Sequence, residues 1–276
     1  MPATSHIRHP LLEPGFRLVA YRGGGGDRPE NTLLAFEHAA SISEGIVLEV
    51  DVQRTCDGVL VAMHDETVDR TTDGRGRVDA LTLDELEALD AGFWFQDGQG
   101  AYVQRGAGVR VPTLDELLTA HPRALFALDV HTHHREAPRE LVKLVEKHQA
   151  QGRVVVVSEH TAVVEATRKL RPDWLYSATA RQVRARMVLE RVRLDWLAPG
   201  GPCVVMVPER HAGLQVLSRR LIDVAHERGE RVWPWLVETE ADAERFMALG
   251  VDGFFTPFPS RFNRMTASRQ HERTGV

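Results

Sequence analysis

Cysteine is nearly absent from these 276 residues, which hold only Cys56 and Cys203. That excludes a disulfide framework, and both read as ordinary reduced thiols. An excess of positive charge is missing too. The 34 Lys and Arg stand against 39 Asp and Glu, a net charge of -5, so there is no basic footprint for nucleic acid. No run approaches the roughly 20 apolar residues of a membrane span. Met1 to Pro14 lacks the apolar stretch behind a basic start that marks a signal peptide. The expectation is a cytoplasmic protein with no membrane span and no nucleic-acid partner. What is plentiful is apolar matter, 43% of the chain, enough for a full core in one large domain or two small ones.

The most informative stretch is Ile46-Val47-Leu48-Glu49-Val50-Asp51-Val52, followed by Val61-Ala62-Met63-His64-Asp65. A strand sends alternate side chains to one face, so Glu49 and Asp51 point the same way. A solvated acidic edge would explain them only if the other residues were apolar on one face alone. Val47, Leu48, Val50 and Val52 are apolar on both counts. Two carboxylates buried side by side repel unless a positive charge lies between them, and a hard divalent cation with oxygen ligands answers that need.

In chain order, Arg17 to Tyr21 reads as a strand ending in the flexible run Arg22-Gly23-Gly24-Gly25-Gly26. Asn31 or Thr32 caps a helix that runs to about Ser43, and Gly45 stops it before the acidic strand. Thr55-Cys56-Asp57-Gly58 turns the chain into a hairpin with Val59 to Met63. Thr82 and Glu85 form a capping box, and Gly92 to Gly108 reads as irregular surface, so residues of about 54–111 form an insertion. After Pro112-Thr113, strands are expected at Ala124 to Val130, Arg153 to Ser158, Trp174 to Ser177, Asp195 to Ala198 or Val204 to Val207, Arg231 to Val237, and Gly253 to Thr256. Helical spacing separates them at Arg139 to Gln149, Ala162 to Leu170, Arg181 to Arg191, Leu214 to Arg228 and Glu240 to Leu249.

Eight strand–helix steps over this length predict an α/β TIM (β/α)8 barrel with a small subdomain inserted after strand 2. The whole chain reads as a single barrel domain, with a core of about 17–259 and loosely ordered tails at 1–15 and 260–276. An open doubly wound sheet is the alternative, but no Gly-x-Gly-x-x-Gly turn opens a helix here. Barrel chemistry sits at the C-terminal ends of the strands. Tyr21, Arg22, Glu49, Asp51, His64, Asp129, His131, Trp235 and Glu238 all fall there. An oxygen-liganded cation beside an arginine suits a phosphate or phosphodiester, with a histidine to move protons.

Arg22-Gly23, Pro29-Glu30-Asn31-Thr32, Glu49-x-Asp51, Thr55-x-Asp57-Gly58, His64-Asp65, Arg70-Thr71-Thr72 and Gly74-x-Gly76, in this order, resemble the glycerophosphodiester phosphodiesterase family. Pro112-Thr113-Leu114-x-Glu116 and Leu249-Gly250-Val251-Asp252-Gly253 match later landmarks, so the resemblance spans Arg17 to about Pro259. It implies a TIM-type barrel with an inserted subdomain, one divalent cation (Mg²⁺ or Ca²⁺), and hydrolysis of glycerophosphodiesters to an alcohol and glycerol phosphate. It also implies that Glu49, Asp51 and Asp129 hold the metal, that Arg22 holds the phosphate and that His64 transfers protons. Glu30 falls on a position similar to a family metal-site residue.

The chain departs from the family pattern at several positions. Ala20-Tyr21-Arg22-Gly23 stands where Ala-His-Arg-Gly is usual, and Asp129-Val130-His131 where Glu-x-Lys is usual. Trp235-Leu236-Val237-Glu238 replaces Trp-Thr-Val-Asn, and Thr256-Pro257 replaces Thr-Asp. Tyrosine, with an ordinary pKa near 10, donates a proton but is a poor base at neutral pH. The substitutions leave two readings open. In one, the enzyme is active and either His131 or Tyr21 stands in for the missing imidazole. In the other, the barrel is impaired or repurposed, binding a phosphorylated ligand or acting on a specialised phosphodiester or lysophospholipid. Losing one proton-transfer group typically costs about 10²- to 10⁴-fold in rate.

Other residues have plainer readings. Phe93, Trp94 and Phe95 form either an apolar lip or packing for the insertion. Trp235 reads as a rim wall that touches substrate. His133 and His134 diverge at a strand end, so they do not form a second metal site. His38, His148, His160, His211 and His226 read as surface histidines. Arg181, Arg184, Arg186, Arg191 and Arg193 read as the wet face of one helix.

Overall fold

The structure is a computed structural model that describes residues 9–191, 193, 194, 197 and 203–272. Its elements run β1 (Arg17–Ala20), α1 (Leu33–Ile42), β2 (Val47–Arg54), β3 (Leu60–Ala62), α2 (Leu83–Glu87), α3 (Leu114–Ala120) and β4 (Leu125–Val130). Then come α4 (Ala137–Lys147), β5 (Val154–Val157), α5 (Thr161–Leu170), β6 (Leu175–Ser177), α6 (Ala180–Arg191) and β7 (Cys203–Pro208). The short β8 (Arg210–His211) and β9 (Leu214–Gln215) precede α7 (Arg219–Glu227), β10 (Arg231–Trp235), α8 (Glu240–Leu249), β11 (Gly253–Thr256) and α9 (Pro259–Glu272). Among the described residues, eight strands pair in the order β10-β7-β6-β5-β4-β2-β1-β11, with β3 antiparallel on β2. The eight are parallel neighbours, and the result is the expected α/β barrel.

The two ends of that order meet across β10 and β11. Val232 N donates to Asp252 Oδ2 at 2.9 Å, Asp252 N to Val232 O at 3.0 Å, and Val237 N to Phe255 O at 2.8 Å. A buried carboxylate thus stands in for ladder bonds at the seam.

Strand alternation sorts the core into two shells. Inside the barrel lie Val19, Val47, Ala127, Val155, Leu175, Val204, Trp233 and Phe255, one from each of the eight strands. Between barrel and helices lie Leu18, Leu48, Val50, Val52, Phe126, Leu128, Val154, Val205 and the inward faces of the helices. Burial on both faces explains why Val47 is apolar as well as Leu48, Val50 and Val52, while the two acids and Gln53 share Val47's face. The insertion has a separate apolar cluster of Val61, Met63, Val68, Val78, Leu86, Ala91 and Val111. Thr82 with Glu85 and Thr113 with Glu116 form the capping boxes that open α2 and α3.

The structure corrects the sequence expectation in four places. The leading segment is not loose: Pro10–Leu12 forms a 3-10 turn, and Leu11 is fully buried with the barrel's interior layer. The trailing segment is not loose either, because α9 seats Phe262 edge-on to Phe254 at 5.5 Å between ring centres. Residues 1–8 and 273–276 of those tails lie outside the described residues. The helix expected from Leu214 starts only at Arg219, since Ala212 (φ 47) and Gly213 (φ 80) turn β8 into β9 and Ser218 caps the shortened helix. Arg186 is not wet but buried, and its guanidinium pairs with buried Glu230 at 2.5 and 2.7 Å. Of the two candidates for the sixth barrel step, Val204 to Val207 lies in β7, while most of Asp195 to Ala198 lies outside the described residues.

Leu11→Ala opens a cavity in the floor of the barrel. It is expected to lower stability by about 2–4 kcal/mol in denaturant unfolding. An unchanged midpoint would mean that Leu11 plugs nothing.

Candidate active site

β2 positions the site. Glu49 and Asp51 are 2% and 1% exposed on the interior face, toward the strand's C-terminal end. β4 runs beside it with Asp129 in register with Asp51. Ligand oxygens of Glu49, Asp51 and Asp129 all lie within 4.8 Å of one another, a cluster that can hold a metal ion. Asp129 Oδ1 is buried with no hydrogen-bond partner, which suits an oxygen waiting for a cation. Burial, and then the neighbouring Asp51 and Asp129, push the Glu49 carboxyl well above its ordinary range. Burial opposes ionisation of Asp51 as well, but the His131 imidazole and Arg22 outweigh it and hold Asp51 below its ordinary range.

The turn after β1 brings up Arg22. Arg22 adopts a left-handed conformation (φ 54, ψ 37), and Gly23 comes next at φ 76 with Phe36 so close that a Cβ would sit 2.9 Å from its ring. This turn aims Arg22 N at Glu49 Oε2, 2.6 Å away, and places Arg22 Nε 3.3 Å from Asp51 Oδ2. The rest of the guanidinium donates to Glu30 Oε1 at 2.8 Å and to the Tyr21 hydroxyl. Burial, partly offset by Arg22, pushes the Tyr21 phenol up to about 12.

Asn31 also serves the site. Its Nδ2 donates to Asp51 Oδ2 at 2.7 Å and its Oδ1 accepts from Asp51 N at 3.2 Å. Thr32, not Asn31, is the cap of α1. Asn31 was legible as a motif residue, yet its clamp on Asp51 was not, because Asn is equally at home as a helix cap.

His64 lies just past β3. Its Nδ1 is 2.6 Å from Asp65 Oδ1, and its ring centre is 4.7 Å from that of His131. Arg70 joins the two halves of the site. It donates twice to Glu30, at 2.9 and 2.6 Å, and twice to Asp65, at 2.7 and 3.1 Å. Hydrogen bonds thus run unbroken from Tyr21 through Arg22, Glu30, Arg70 and Asp65 to His64. Burial favours the neutral form of Asp65, but Arg70 and His64 override it and bring Asp65 down to about 2. Arg70 escaped the sequence-derived set of site residues because nothing local marks its pairing with Glu30, 40 residues away, and Asp65 escaped it with Arg70, its partner five residues on.

Glu30 departs from expectation. The sequence places it with the metal residues, but two arginines claim its oxygens and hold it below the ordinary carboxylate range against burial. It orients arginines and is not part of the acidic cluster. Trp233 is buried inside the barrel, and Trp235 stands above it on the rim, 42% exposed. His226 and His148 are not plain surface histidines, since they pair with Asp252 at 2.7 Å and Asp115 at 2.5 Å. A groove of about 400 Å³ runs from Glu30 and Arg70 along Gly25, Gly26, Trp94, Phe95 and Phe258.

Because Asp65 is depressed to about 2 from an ordinary value near 3.9, its stabilising contribution is present above about pH 4 and lost as pH falls through 2. The melting-temperature gap between wild type and Asp65→Asn is therefore expected to close from pH 5 to pH 2. A gap that is constant over that interval would contradict the ion pairing.

The model of the glycerophosphoryl diester phosphodiesterase family matches residues 22–261. A glycerophosphodiester phosphodiesterase of Bacillus subtilis is 29% identical over 282 residues, covering 96% of this chain and 91% of that protein. One from Bacillus altitudinis is 32% identical over 254 residues, covering 89% and 96%. Among solved structures, the glycerophosphoryl diester phosphodiesterase domain of an uncharacterized Mycobacterium tuberculosis protein superposes with a TM-score of 0.81 at 21% identity, covering 92% of this chain and 99% of that one. An Oleispira antarctica phosphodiesterase, solved with the product sn-glycerol-3-phosphate, gives 0.71 at 23% identity, covering 92% and 97%. At such identities the structures speak for the barrel, while the family match takes in the acidic cluster, Arg22 and His64 together. On that span the chain belongs to the glycerophosphoryl diester phosphodiesterase family.

Proposed function

We propose that this protein hydrolyses glycerophosphodiesters to an alcohol and glycerol phosphate, using one divalent ion held by Glu49, Asp51 and Asp129. The observation that carries the reading is the convergence of those three carboxylates, Arg22 and His64 on one rim of the barrel. The bound ion supplies charge neutralisation at the phosphate oxygens and acidifies water. Arg22, locked by Glu30, Tyr21 and Glu49, presents a fixed positive charge to the phosphate with little rotamer entropy left to lose. His64 gives its Nδ1 to Asp65, which leaves Nε2 for proton transfer to and from the reacting oxygens.

Tyr21 takes the place of a histidine in the family pattern. With its phenol at about 12 it keeps its proton near neutral pH and is not a base, and its hydroxyl accepts from Arg22. His131 faces the Asp51 and Asp129 carboxylates, so the acid–base work rests on His64. The retained site favours an active enzyme over a passive phosphate receptor, since a receptor needs no polarised histidine.

The groove is the place for the alcohol moiety. Its wall of Trp94, Phe95 and Phe258 favours an apolar group there, which extends the substrate range to lysophospholipids. Among the described residues, no helix is long and apolar enough to cross a membrane.

Phosphorus NMR of purified protein with mixed glycerophosphodiesters tests the main reading. Conversion to glycerol phosphate is expected with a divalent ion, none with chelator, and about 10²- to 10⁴-fold less in His64→Ala. Folded wild type that converts no diester in the presence of divalent ions would sink the hydrolase assignment. For the groove, Trp94→Ala is expected to raise KM for a lysophospholipid and to leave KM for glycerophosphoethanolamine unchanged. Equal effects on both would remove the groove from substrate binding.

A further inference from the structure

β4 carries a second polar side chain one residue beyond its end. His131 N still donates to Val52 O, at 2.9 Å, so the β2–β4 pairing continues and His131 keeps the face of Asp129. The imidazole therefore lies over Asp51. Its Nε2 stands 3.0 Å from Asp51 Oδ1 and 3.6 Å from Asp129 Oδ2. Neither contact has hydrogen-bond geometry, and Nε2 is buried without a hydrogen-bond partner, as is Asp129 Oδ1.

An imidazole nitrogen held at ion-pair distance from two carboxylates, yet outside hydrogen-bond geometry, is placed as a ligand of a centre shared with them. Donors about 2.0–2.2 Å from one ion stand roughly 3–4 Å apart, and both His131 distances fall in that interval. Asp51 in fact belongs to two groups of converging donors, one with Glu49 and Asp129 and one with His64 and His131. His131 reaches the acids of the first group directly. His64 is tied to Asp65 on its other nitrogen and remains the proton-transfer group.

We infer that His131 is a nitrogen ligand of the divalent ion held by Glu49, Asp51 and Asp129, and that this mixed set selects a first-row transition ion over Mg²⁺ or Ca²⁺. The inference rests on reading the acidic cluster as the ion site and deepens that reading. Mg²⁺ and Ca²⁺ take oxygen ligands and gain little from an imidazole. Imidazole nitrogen suits Fe²⁺, Co²⁺ and Zn²⁺, and the Irving–Williams order favours them over Mn²⁺ at one site. A single residue at the end of β4 thereby shifts the metal preference of an otherwise all-oxygen cluster.

Mn²⁺ added to metal-free protein is the probe, because pulsed EPR detects directly bound ¹⁴N. The expected result is ¹⁴N modulation in the wild type, retained in His64→Gln and lost in His131→Gln, with circular dichroism unchanged. In competition titrations, Zn²⁺ and Co²⁺ should displace Mg²⁺ readily from the wild type, and that preference should fall at least about tenfold in His131→Gln. Mn²⁺ bound without nitrogen coupling, coupling that survives His131→Gln, or no Mn²⁺ binding at all would overturn the inference. Turnover of a glycerophosphodiester, measured alongside, separates the two proposals. Nitrogen-coordinated Mn²⁺ without turnover supports the ligand and contradicts the hydrolase, and turnover with an all-oxygen site does the reverse.

Discussion

The repulsion among Glu49, Asp51 and Asp129 is the constraint around which the rest of the site is built. Two full charges within 4.8 Å repel by roughly 3 kcal/mol at an effective dielectric of about 20. Three such oxygens converge at the mouth of the barrel, where Glu49 and Asp51 are buried and water reaches only part of Asp129. The protein answers from several sides: Arg22 N donates to Glu49, Asn31 donates to Asp51, and the Arg22 guanidinium and the His131 imidazole stand at ion-pair distance from Asp51, the imidazole also from Asp129. These offset part of the charge. Glu49 still holds its proton well above the ordinary carboxylate range, and Asp129 Oδ1 has no partner. The residual deficit is what a divalent cation would fill. It costs folding stability to maintain, and a barrel with two full apolar shells can tolerate that cost.

Around this centre the charges are chained. Arg22 is held by Glu30, Glu30 by Arg70, Arg70 by Asp65, and Asp65 holds His64. Each pair alone is the sort of partly exposed ion pair that contributes little. Linked, they fix the relative position of a phosphate-binding guanidinium on the β1 turn and a proton-transfer imidazole after β3. The insertion thus does more than cover the barrel mouth, because it carries His64, Asp65 and Arg70 as one hydrogen-bonded group.

Much of this was legible in the sequence, for physical reasons. The period of 2 put Glu49 with Asp51 and Asp129 with His131, and β2 is buried on both faces, with Leu48, Val50 and Val52 on one and Val47 below the acids on the other. Strand–helix alternation predicted the barrel. What the sequence hid were residues whose neighbours are distant or whose type is ambiguous. Asn31 fits a helix cap as well as it fits a carboxylate clamp. Arg186 sits in an arginine-rich helix, and only the fold brings Glu230 to it. Leu11, in a Leu-Leu pair within a short Pro-bearing stretch, and Phe262, in a polar run, have no periodicity to mark the places they fill. Glu30 reads as a ligand until the fold places two arginines on it.

The most direct test of the account is anomalous diffraction from crystals grown with Mn²⁺ and sn-glycerol 3-phosphate. One strong peak is expected, bounded by Glu49, Asp51 and Asp129, with the phosphate between that ion and Arg22. No peak in the cluster, or a phosphate seated away from Arg22, would contradict it.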